Sequence, residues 1–259
     1  MQHNTAYIIG FSTLVCVVCA LFVSIAEVSL RPLRERNIRM DRQKNVLAVA
    51  GLMQPGEALD GDEIERRFEG FIRPVLIDLA SGEENTTMDP TQFDQRAASR
   101  DPSRSSKAPP NPSKVLRVPY QALIYEVAKD GELDSIIIPI QGYGLWSVLY
   151  GYLALAPDIR TIRGITYYDQ KETAGLGGEV ENPNWKAKWV GRKAFDERGR
   201  VKITVAKGPA GPPETDPYRV DGLSGATITS RGVTNMLQFW LGKQGFGPYL
   251  TRLRSEAGA

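Results

Sequence analysis

An uncharged apolar run near the N-terminus constrains this chain more than any other feature. Residues 6–26, AYIIGFSTLVCVVCALFVSIA, contain no charged side chain over 21 residues. A helix of this length, at ~1.5 Å per residue, spans the hydrocarbon core of a bilayer. No Lys or Arg precedes the run and no convincing cleavage site follows it, so a secretory signal peptide is disfavoured. The sequence therefore predicts a single transmembrane anchor in residues 1–28.

Basic residues cluster directly after the anchor. Six Lys or Arg lie within residues 31–44, with only two acidic residues among them. From residue 45 onward the chain is nearly neutral, with 26 basic and 27 acidic residues. Nucleic acid is therefore a poor candidate partner, because its binding depends on neutralising phosphates. By the positive-inside rule, the basic cluster favours a cytoplasmic location for the rest of the chain.

Cysteine and histidine usage excludes several kinds of site outside the anchor. The only cysteines, Cys16 and Cys19, both lie in the apolar run, so the following chain forms no internal disulfide. They share a helix face and could meet a partner helix or a metal, although two small apolar residues are the favoured interpretation. The single histidine is His3. We therefore expect neither a histidine-based triad nor a usual His-containing metal site in the body of the protein.

The segment between the anchor and the C-terminal part, residues 29–114, has three sections. Residues 29–53 predict a helix that leaves the membrane as a stalk, and residues 61–79 predict a short helix followed by a strand. Residues 81–114 contain five prolines, many Ser and Thr, and almost no large apolar residue. We expect this last section to be a polar excursion without a core of its own.

Residues 115–259 predict a compact mixed domain, so the fold class is α+β. Strand candidates are residues 120–128, 135–140, 161–168 and 201–206, and helix candidates are residues 184–195 and 229–243.

The most informative motif is DGLSGATITS at residues 221–230. Its small residues allow a ligand to approach the backbone closely, and its hydroxyls offer hydrogen-bond donors. The helix predicted after it would point free N–H groups at an anion, which is how a phosphate is held without a lysine. A turn that only caps the helix is the commoner interpretation of such a pattern.

This motif resembles the FMN-binding domain family, which occurs in the C subunit of the sodium-translocating NADH:quinone oxidoreductase and in the G subunit of the Rnf complex. In that family the threonine of S-G-A-T is esterified to the FMN phosphate, and the matching residue here is Thr227. Two further segments fit the family in the same order: PIQGYGLW at 139–146 with the following SVLYGYLAL, and ETAGLGGE at 172–179. The resemblance covers essentially the whole chain.

The three segments supply the predicted cofactor-binding residues. These are Asp221, Ser224, Gly225, Ala226 and Thr227 in the first motif, Gly142, Tyr143, Gly144, Leu145 and Trp146 in the second, and Glu172, Thr173, Leu176 and Gly177 in the third, together with Lys207.

Each assignment has a structural alternative. Tyr143 and Trp146 suit stacking on a flavin ring, or they belong to a turn with core aromatics. Thr173 and nearby amides suit the polar edge of the ring and Leu176 its face, or they form a glycine-rich turn. Glu172 could be a proton donor or an outward-facing loop carboxylate. Lys207 could pair with the phosphate or be solvated.

The resemblance implies a function for the whole chain. The protein would relay single electrons through the covalent FMN, from a metal centre in its membrane neighbours to the flavin of the B subunit. Because the flavin performs the redox chemistry, no catalytic residue is predicted. The implied partners are the other members of the complex (A, B, D, E and F) and a flavin transferase that forms the bond to Thr227. The implied location is a bacterial inner membrane with the soluble domain in the periplasm, opposite to the positive-inside expectation.

Two other functions compete with this one. The G subunit of an Rnf-type ferredoxin:NAD oxidoreductase shares the S-G-A-T site and the anchor, although the segments GLWSVLYGYLAL and NPNWKAKWVGRK resemble the quinone reductase protein more closely. A membrane-anchored protein that binds a phosphorylated ligand reversibly would also account for the motif.

The polar excursion is expected to be dispensable for binding the cofactor, because all three flavin segments follow residues 81–114 in the chain.

Overall fold

The computed structural model describes residues 4–54 and 56–256. The chain forms two compact units that divide between Gln43 and Lys44. A long helix, α1 (Thr5–Val49), contains the whole apolar run of residues 6–26 and most of the predicted stalk. Residues 1–3 of the predicted anchor lie outside the described residues. The N-terminal part of α1 is exposed and is long and apolar enough to cross a membrane. The expectation of a long apolar helix near the N-terminus is confirmed, and this helix continues without a break to Val49.

The second unit mixes helices with antiparallel and parallel strands, as the predicted α+β class requires. Its elements are α2 (Gly61–Phe71), β1 (Ile72–Asp78), α3 (Gln95–Arg100), β2 (Ser105–Lys107), β3 (Arg117–Pro119), β4 (Gln121–Lys129), β5 (Glu132–Tyr143), β6 (Val148–Leu155), β7 (Ile162–Asp169), α4 (Pro183–Ala187), β8 (Thr204–Val205), β9 (Arg219–Val220), α5 (Thr227–Trp240) and α6 (Gly247–Glu256). Two 3₁₀ helices span Pro90–Gln92 and Gly177–Glu181.

One antiparallel sheet of five strands, in the order β1-β4-β5-β6-β7, forms the centre of this unit. Side chains alternate between its two faces, as they must in a strand. On β4, Ala122 and Ile124 belong to one buried cluster, while Leu123, Tyr125 and Val127 belong to the other. The sheet is therefore covered on both faces and separates two hydrophobic cores.

Helix α5 packs on the first face, against β5. This core also contains Trp189 and Trp240, both fully buried. The indole N–H of Trp240 donates to the carbonyl of Gln141, 2.6 Å away on β5. Because α5 follows the S-G-A-T motif directly, this packing fixes the motif at one end of the sheet.

The second core corrects the expectation that residues 81–114 form an excursion without a core. Phe93 is 3% exposed and Ala98 is 1% exposed, and both pack with Val46 and Leu47 at the end of α1. The side chain of Arg96 places its guanidinium 3.6 Å from the ring centre of Tyr150 on β6. The polar composition of the segment did not indicate this packing, because few of its residues are apolar and Phe93 and Ala98 are buried among many polar ones.

Two predicted elements are shorter in the structure than in the sequence analysis. The helix expected over 184–195 ends at Ala187, because the following chain pairs with the start of β7: Ile162 N donates to Arg192 O and Ala194 N to Arg160 O. The strand expected over 201–206 is limited to β8, which pairs with β9 in parallel. Strands β2, β3, β6 and β9 and helices α3 and α6 were not among the predicted elements.

Candidate functional site

The S-G-A-T motif forms a tight turn that leads directly into α5. Thr227 is the first residue of the helix, and Ala226, in the N-cap position, makes no side-chain capping bond. Gly225 has a φ of +70°, a conformation that favours glycine. The buried Ser230 hydroxyl accepts a hydrogen bond from Leu223 N at 3.0 Å and so ties the turn to the first turn of the helix.

This turn is open to solvent where an anion would approach it. Ser224, Gly225 and Thr227 are exposed, whereas Ala226 faces the core. The first N–H groups of an α-helix lack partners within the helix and carry a partial positive charge. No acidic residue lies in the first turn of α5. The arrangement therefore suits a phosphate placed beside the Thr227 hydroxyl.

The second motif, residues 142–146, lies against the side of α5. A Cβ on Gly232 of the helix would be 2.5 Å from the carbonyl oxygen of Tyr143. The Tyr143 hydroxyl donates to the Trp146 carbonyl at 3.2 Å, and the ammonium of Lys114 lies 4.6 Å from the centre of its ring. Tyr143, the last residue of β5, is half-buried, while Trp146 in the loop that follows is 66% exposed and available to a ligand.

The third motif, residues 172–178, forms a loop beside the S-G-A-T turn. A Cβ on Gly225 would be 2.8 Å from a methyl carbon of Leu176, which is itself 42% exposed. The Thr173 carbonyl accepts hydrogen bonds from the amides of Leu176 and Gly178, at 3.1 and 3.0 Å. These two amides are therefore engaged within the loop, and the exposed side chains of Thr173 and Leu176 remain for a ligand.

The carboxylate of Glu172 connects the third motif to the other two. Its environment fits neither of the two interpretations offered for it. Glu172 is 9% exposed, so it is not an outward-facing carboxylate. Its Oε1 accepts from Trp146 N, Ser147 N and Ser147 Oγ at 2.9, 3.0 and 3.1 Å, and its Oε2 accepts from Leu145 N at 3.0 Å and Thr229 Oγ1 at 2.7 Å.

These hydrogen bonds also determine the charge of Glu172. Burial raises the pKa of this carboxyl, but the hydrogen bonds from Thr229 and the three backbone amides outweigh it, so the pKa lies below the usual value. The group is ionised at neutral pH and does not offer a proton.

Two glycines make room for this carboxylate. A Cβ on Gly144 would be 2.8 Å from Glu172 Oε1, and a Cβ on Gly177 would be 2.7 Å from both Glu172 Oε2 and Thr229 Oγ1. Any larger residue at either position would collide with the buried hydrogen-bonded group. Gly144 and Gly177, predicted as ligand contacts, are thus required for the internal packing of the site.

Asp221 connects the S-G-A-T turn to neighbouring parts of the chain. Its carboxylate accepts from Lys188 Nζ at 2.5 Å and from Ala210 N at 2.9 Å, and its carbonyl accepts from Trp185 Nε1 at 2.8 Å. Burial raises the pKa of Asp221, but the hydrogen bonds from Lys188 and Ala210 bring it below its usual value. Asp221 therefore stays charged and anchors the motif to α4 and the residues that follow it.

Lys207 lies near the turn through its backbone. A Cβ on Gly222 would be 3.2 Å from the Lys207 carbonyl oxygen, and Gly222 N donates to the neighbouring Gly208 O at 2.9 Å. The Lys207 side chain is exposed. Its pairing with a phosphate stays a prediction.

Sequence reasoning did not identify the residues that connect the three motifs. Thr229 and Ser147 bind Glu172, and Lys188 binds Asp221. The partners of Glu172 at positions 229 and 147 are 57 and 25 residues away along the chain. No local pattern reports such pairings, although the hydroxyls of the DGLSGATITS motif were a partial signal.

The close approach of α5 to the second motif predicts a destabilising effect of Gly232→Ala. In an exposed helix, replacing glycine by alanine stabilises by about 1 kcal/mol. At Gly232 the added methyl group would meet the Tyr143 carbonyl, so we expect a net loss of about 1–3 kcal/mol from overpacking. The thermal unfolding midpoint of the full-length chain in detergent measures this change.

Gly70→Ala is the matched control. Gly70 also lies in a helix, α2, and a Cβ there would meet no heavy atom within 4 Å. We expect its unfolding midpoint to stay unchanged or to rise. If Gly232→Ala also raised the midpoint, the second motif would not be packed on α5 as described.

Comparison with known proteins assigns a family to the region of the site. The model of the FMN-binding domain family matches residues 144–242. Over 256 residues the chain is 41% identical to the C subunit of the Na(+)-translocating NADH-quinone reductase of Pseudomonas aeruginosa, covering 98% of this chain and 97% of the relative. It is 44% identical over 247 residues to the protein of the same name from Yersinia pestis, covering 94% and 91% of the two chains.

Solved structures agree with these sequence relatives. A crystal structure of NqrC from Shewanella oneidensis superimposes with a TM-score of 0.77 at 34% identity, covering 86% of this chain and 99% of the other. The C subunit of the Na(+)-translocating NADH-quinone reductase from Parabacteroides distasonis superimposes with a TM-score of 0.66 at 28% identity, covering 86% and 97%. The similarity therefore extends over the fold as well as over the motifs.

Proposed function

The chain belongs to the family of Na(+)-translocating NADH-quinone reductase C subunits, and we propose that it relays single electrons through an FMN esterified to Thr227. Membership makes it part of an oxidoreductase complex, and its FMN-binding domain supports the role of electron carrier. The near full-length similarity favours this family over the Rnf alternative. The position and covalent nature of the attachment are the finer parts of the proposal.

The observation that carries the proposal is the position of Thr227. Its exposed hydroxyl lies at the first residue of a 14-residue helix whose N-cap position provides no side-chain acceptor. The free N–H groups there suit the FMN phosphate, and the exposed Ser224 supplies a further donor. In the net reaction, the Thr227 hydroxyl oxygen bonds to the phosphorus in place of one phosphate OH group. The hydroxyl proton and that displaced OH group leave together as one water.

Apolar side chains around this turn fit an isoalloxazine ring. Trp146, Leu145 and Leu176 are 66%, 37% and 42% exposed, although each is held in a loop that packs on α5 or on the S-G-A-T turn. Large exposed apolar groups in a fixed arrangement are typical of a ligand-binding surface. We propose that these three side chains contact the ring and that Thr173 and Lys207 face its polar groups or the phosphate.

FMN would supply the redox chemistry of this protein, since flavins exchange electrons and ordinary side chains do not. The protein binds and orients the cofactor. Asp221 and Ser230 hold the attachment turn by accepting hydrogen bonds from Lys188 Nζ and Leu223 N, respectively. A covalent bond keeps the cofactor from being lost to an open compartment. We propose that a flavin transferase forms this bond and that five other proteins (A, B, D, E and F) complete the complex.

Peptide mapping tests the proposed attachment. Trypsin cleaves after Arg219 and Arg231, which releases residues 220–231 with the whole turn. In full-length protein produced with the flavin transferase, we expect this peptide to carry the mass of FMN less one water, and fragmentation to place the adduct on Thr227. A reversible binding protein for a phosphorylated ligand is the remaining alternative. Such a protein would yield only the unmodified peptide, and its band on a denaturing gel would show no flavin fluorescence.

We further propose that the second unit, Lys44–Ala259, is soluble and faces the periplasm, and we call it the soluble unit. The basic cluster after the anchor argues for the opposite side, but the positive-inside rule is statistical, and a single-span protein in a complex is oriented also by its partners. The arginines would then pair with lipid headgroups or neighbouring proteins of the complex on the outer side.

Cysteine labelling of spheroplasts tests the orientation. Glu197 is exposed in the turn that Gly199 N closes on Asp196 O at 3.0 Å, so Glu197→Cys presents a thiol on the soluble unit. With the complex intact, we expect a membrane-impermeant maleimide to label this variant. The unaltered chain, whose cysteines are both in the anchor helix, is the control. Labelling that required rupture of the inner membrane would place the soluble unit in the cytoplasm.

A further inference from the structure

Glu172 is an unusual charge for the interior of a protein. It is 9% exposed and ionised, yet among residues 4–54 and 56–256 no Lys or Arg forms an ion pair with it. A buried charge is costly unless it is fully hydrogen-bonded. Here five neutral donors surround the carboxylate: three backbone amides and the hydroxyls of Ser147 and Thr229.

These donors come from two of the proposed flavin-contacting regions. The amides of Leu145 and Trp146 point inward to Glu172, while the side chains of the same two residues are exposed. Thr229 lies two residues after Thr227, in the first turn of α5, and its hydroxyl donates at 2.7 Å. The carboxylate thus sets the position of Leu145 and Trp146 relative to the residue that carries the FMN in the proposed function.

Only a carboxylate satisfies this arrangement. Both of its oxygens accept hydrogen bonds, whereas the amide of glutamine would turn one NH₂ group toward backbone N–H donors. Gly144 and Gly177 enclose the group so closely that neither a larger residue nor a displaced side chain fits beside it. Gly144 and Gly177 therefore leave space for the buried Glu172 carboxylate, and Thr229 donates a hydrogen bond to it.

We propose that Glu172 is a positioning residue for the flavin. Its carboxylate holds the Leu145–Trp146 loop and the first turn of α5 in the geometry that receives the FMN, and its fixed negative charge opposes the addition of an electron to the nearby ring. This inference rests on the proposed function of the site. It assigns to the glutamate an internal role, with no direct contact to the cofactor required.

The test compares two substitutions at Thr229 that differ in one hydroxyl group. Thr229→Ser keeps the donor to Glu172, and Thr229→Val keeps the shape without it. In full-length protein produced with the flavin transferase, we expect Thr229→Ser to match the parent in flavin content, in visible circular dichroism of the flavin and in midpoint potential. We expect Thr229→Val to change the circular dichroism and to reduce flavin incorporation several-fold.

Glu172→Gln removes the negative charge and also disrupts the set of hydrogen bonds that the carboxylate accepts. We expect it to incorporate less flavin, and the flavin that is incorporated to have a more positive midpoint potential than in the parent. Parental circular dichroism and potential in both Thr229→Val and Glu172→Gln would overturn the proposal, even if both variants unfolded at lower temperature, because a merely structural role predicts that result. If Glu172→Gln fails to fold, the Thr229 pair decides.

The two proposals fail in distinguishable ways. If the parent protein carries no FMN on residues 220–231, the proposed function fails, and the role of Glu172 fails with it. If the parent carries the FMN and the variants match it in flavin content, circular dichroism and potential, only the positioning role is overturned.

Discussion

Thr227→Ala is expected to abolish covalent flavin and to leave the protein folded. The exposed Thr227 hydroxyl is the proposed bond-forming oxygen, and no neighbouring hydroxyl occupies the same position at the start of α5. Alanine has a higher helix propensity than threonine, so the first turn of the helix should persist. A denaturing gel under ultraviolet light measures the covalent flavin, and the thermal unfolding midpoint reports the fold.

Ser224→Ala is the matched control for this experiment. Ser224 is exposed in the same turn, three residues before Thr227, but it contributes only a hydrogen bond of about 1 kcal/mol in the proposed site. We expect its gel band to remain fluorescent. Persistent fluorescence in Thr227→Ala, or its loss in Ser224→Ala alone, would assign the bond to another residue.

Phe93→Ala is expected to destabilise the second unit of the chain by about 3–5 kcal/mol. Phe93 is 3% exposed in the core between the sheet and the end of α1, and the guanidinium of Arg104 lies 5.2 Å from the centre of its ring. Alanine would leave a cavity there. For a unit of this size, the loss corresponds to a fall of roughly 6–20 °C in the unfolding midpoint, measured on the full-length chain in detergent.

Met88→Ala provides the comparison within the same segment. Met88 is 41% exposed, so its truncation should change stability by less than about 0.5 kcal/mol. Equal, small effects of both substitutions would mean that residues 81–114 are the independent excursion that their composition suggests. The structure leads us to expect a large effect of Phe93→Ala and a small effect of Met88→Ala. We also expect deletion of residues 81–114 to impair the site, contrary to the expectation that the segment is dispensable, because Ser113 O accepts a hydrogen bond from Tyr143 N at 3.0 Å.

The sequence predicted those features that depend on neighbouring residues. The uncharged run of residues 6–26 predicted the helix found in α1, because a single apolar segment that crosses a membrane has to satisfy its backbone hydrogen bonds within itself, as a helix does. Alternating and apolar patterns identified β4, β5 and β7, and the predicted helix at 229–243 corresponds to α5. The small and hydroxyl-bearing residues before α5 indicated the site only together with the resemblance to the FMN-binding domain family.

Other features depended on contacts between distant parts of the chain. The helix expected over 184–195 stops at Ala187 because backbone groups of Arg192 and Ala194 pair with residues at the start of β7. Phe93 joins a core only because the sheet presents a second apolar face to it. Secondary-structure propensity gives no information on such long-range contacts. Their free energy comes from burial and from hydrogen bonds that form only when distant parts of the chain meet.

Glu172 shows most clearly what the tertiary structure decided. From the sequence, a glutamate before a glycine-rich loop could be a proton donor or a solvated charge. Folding brings to it donors from residues 145–147 and from Thr229, 57 residues away, which keep it ionised. The sequence by itself determined the long apolar N-terminal helix and the fold class, and its resemblance to the FMN-binding domain family led to the proposed attachment residue Thr227. The tertiary structure determined how the motifs meet, because a buried charge acquires its role from partners that only the fold brings together.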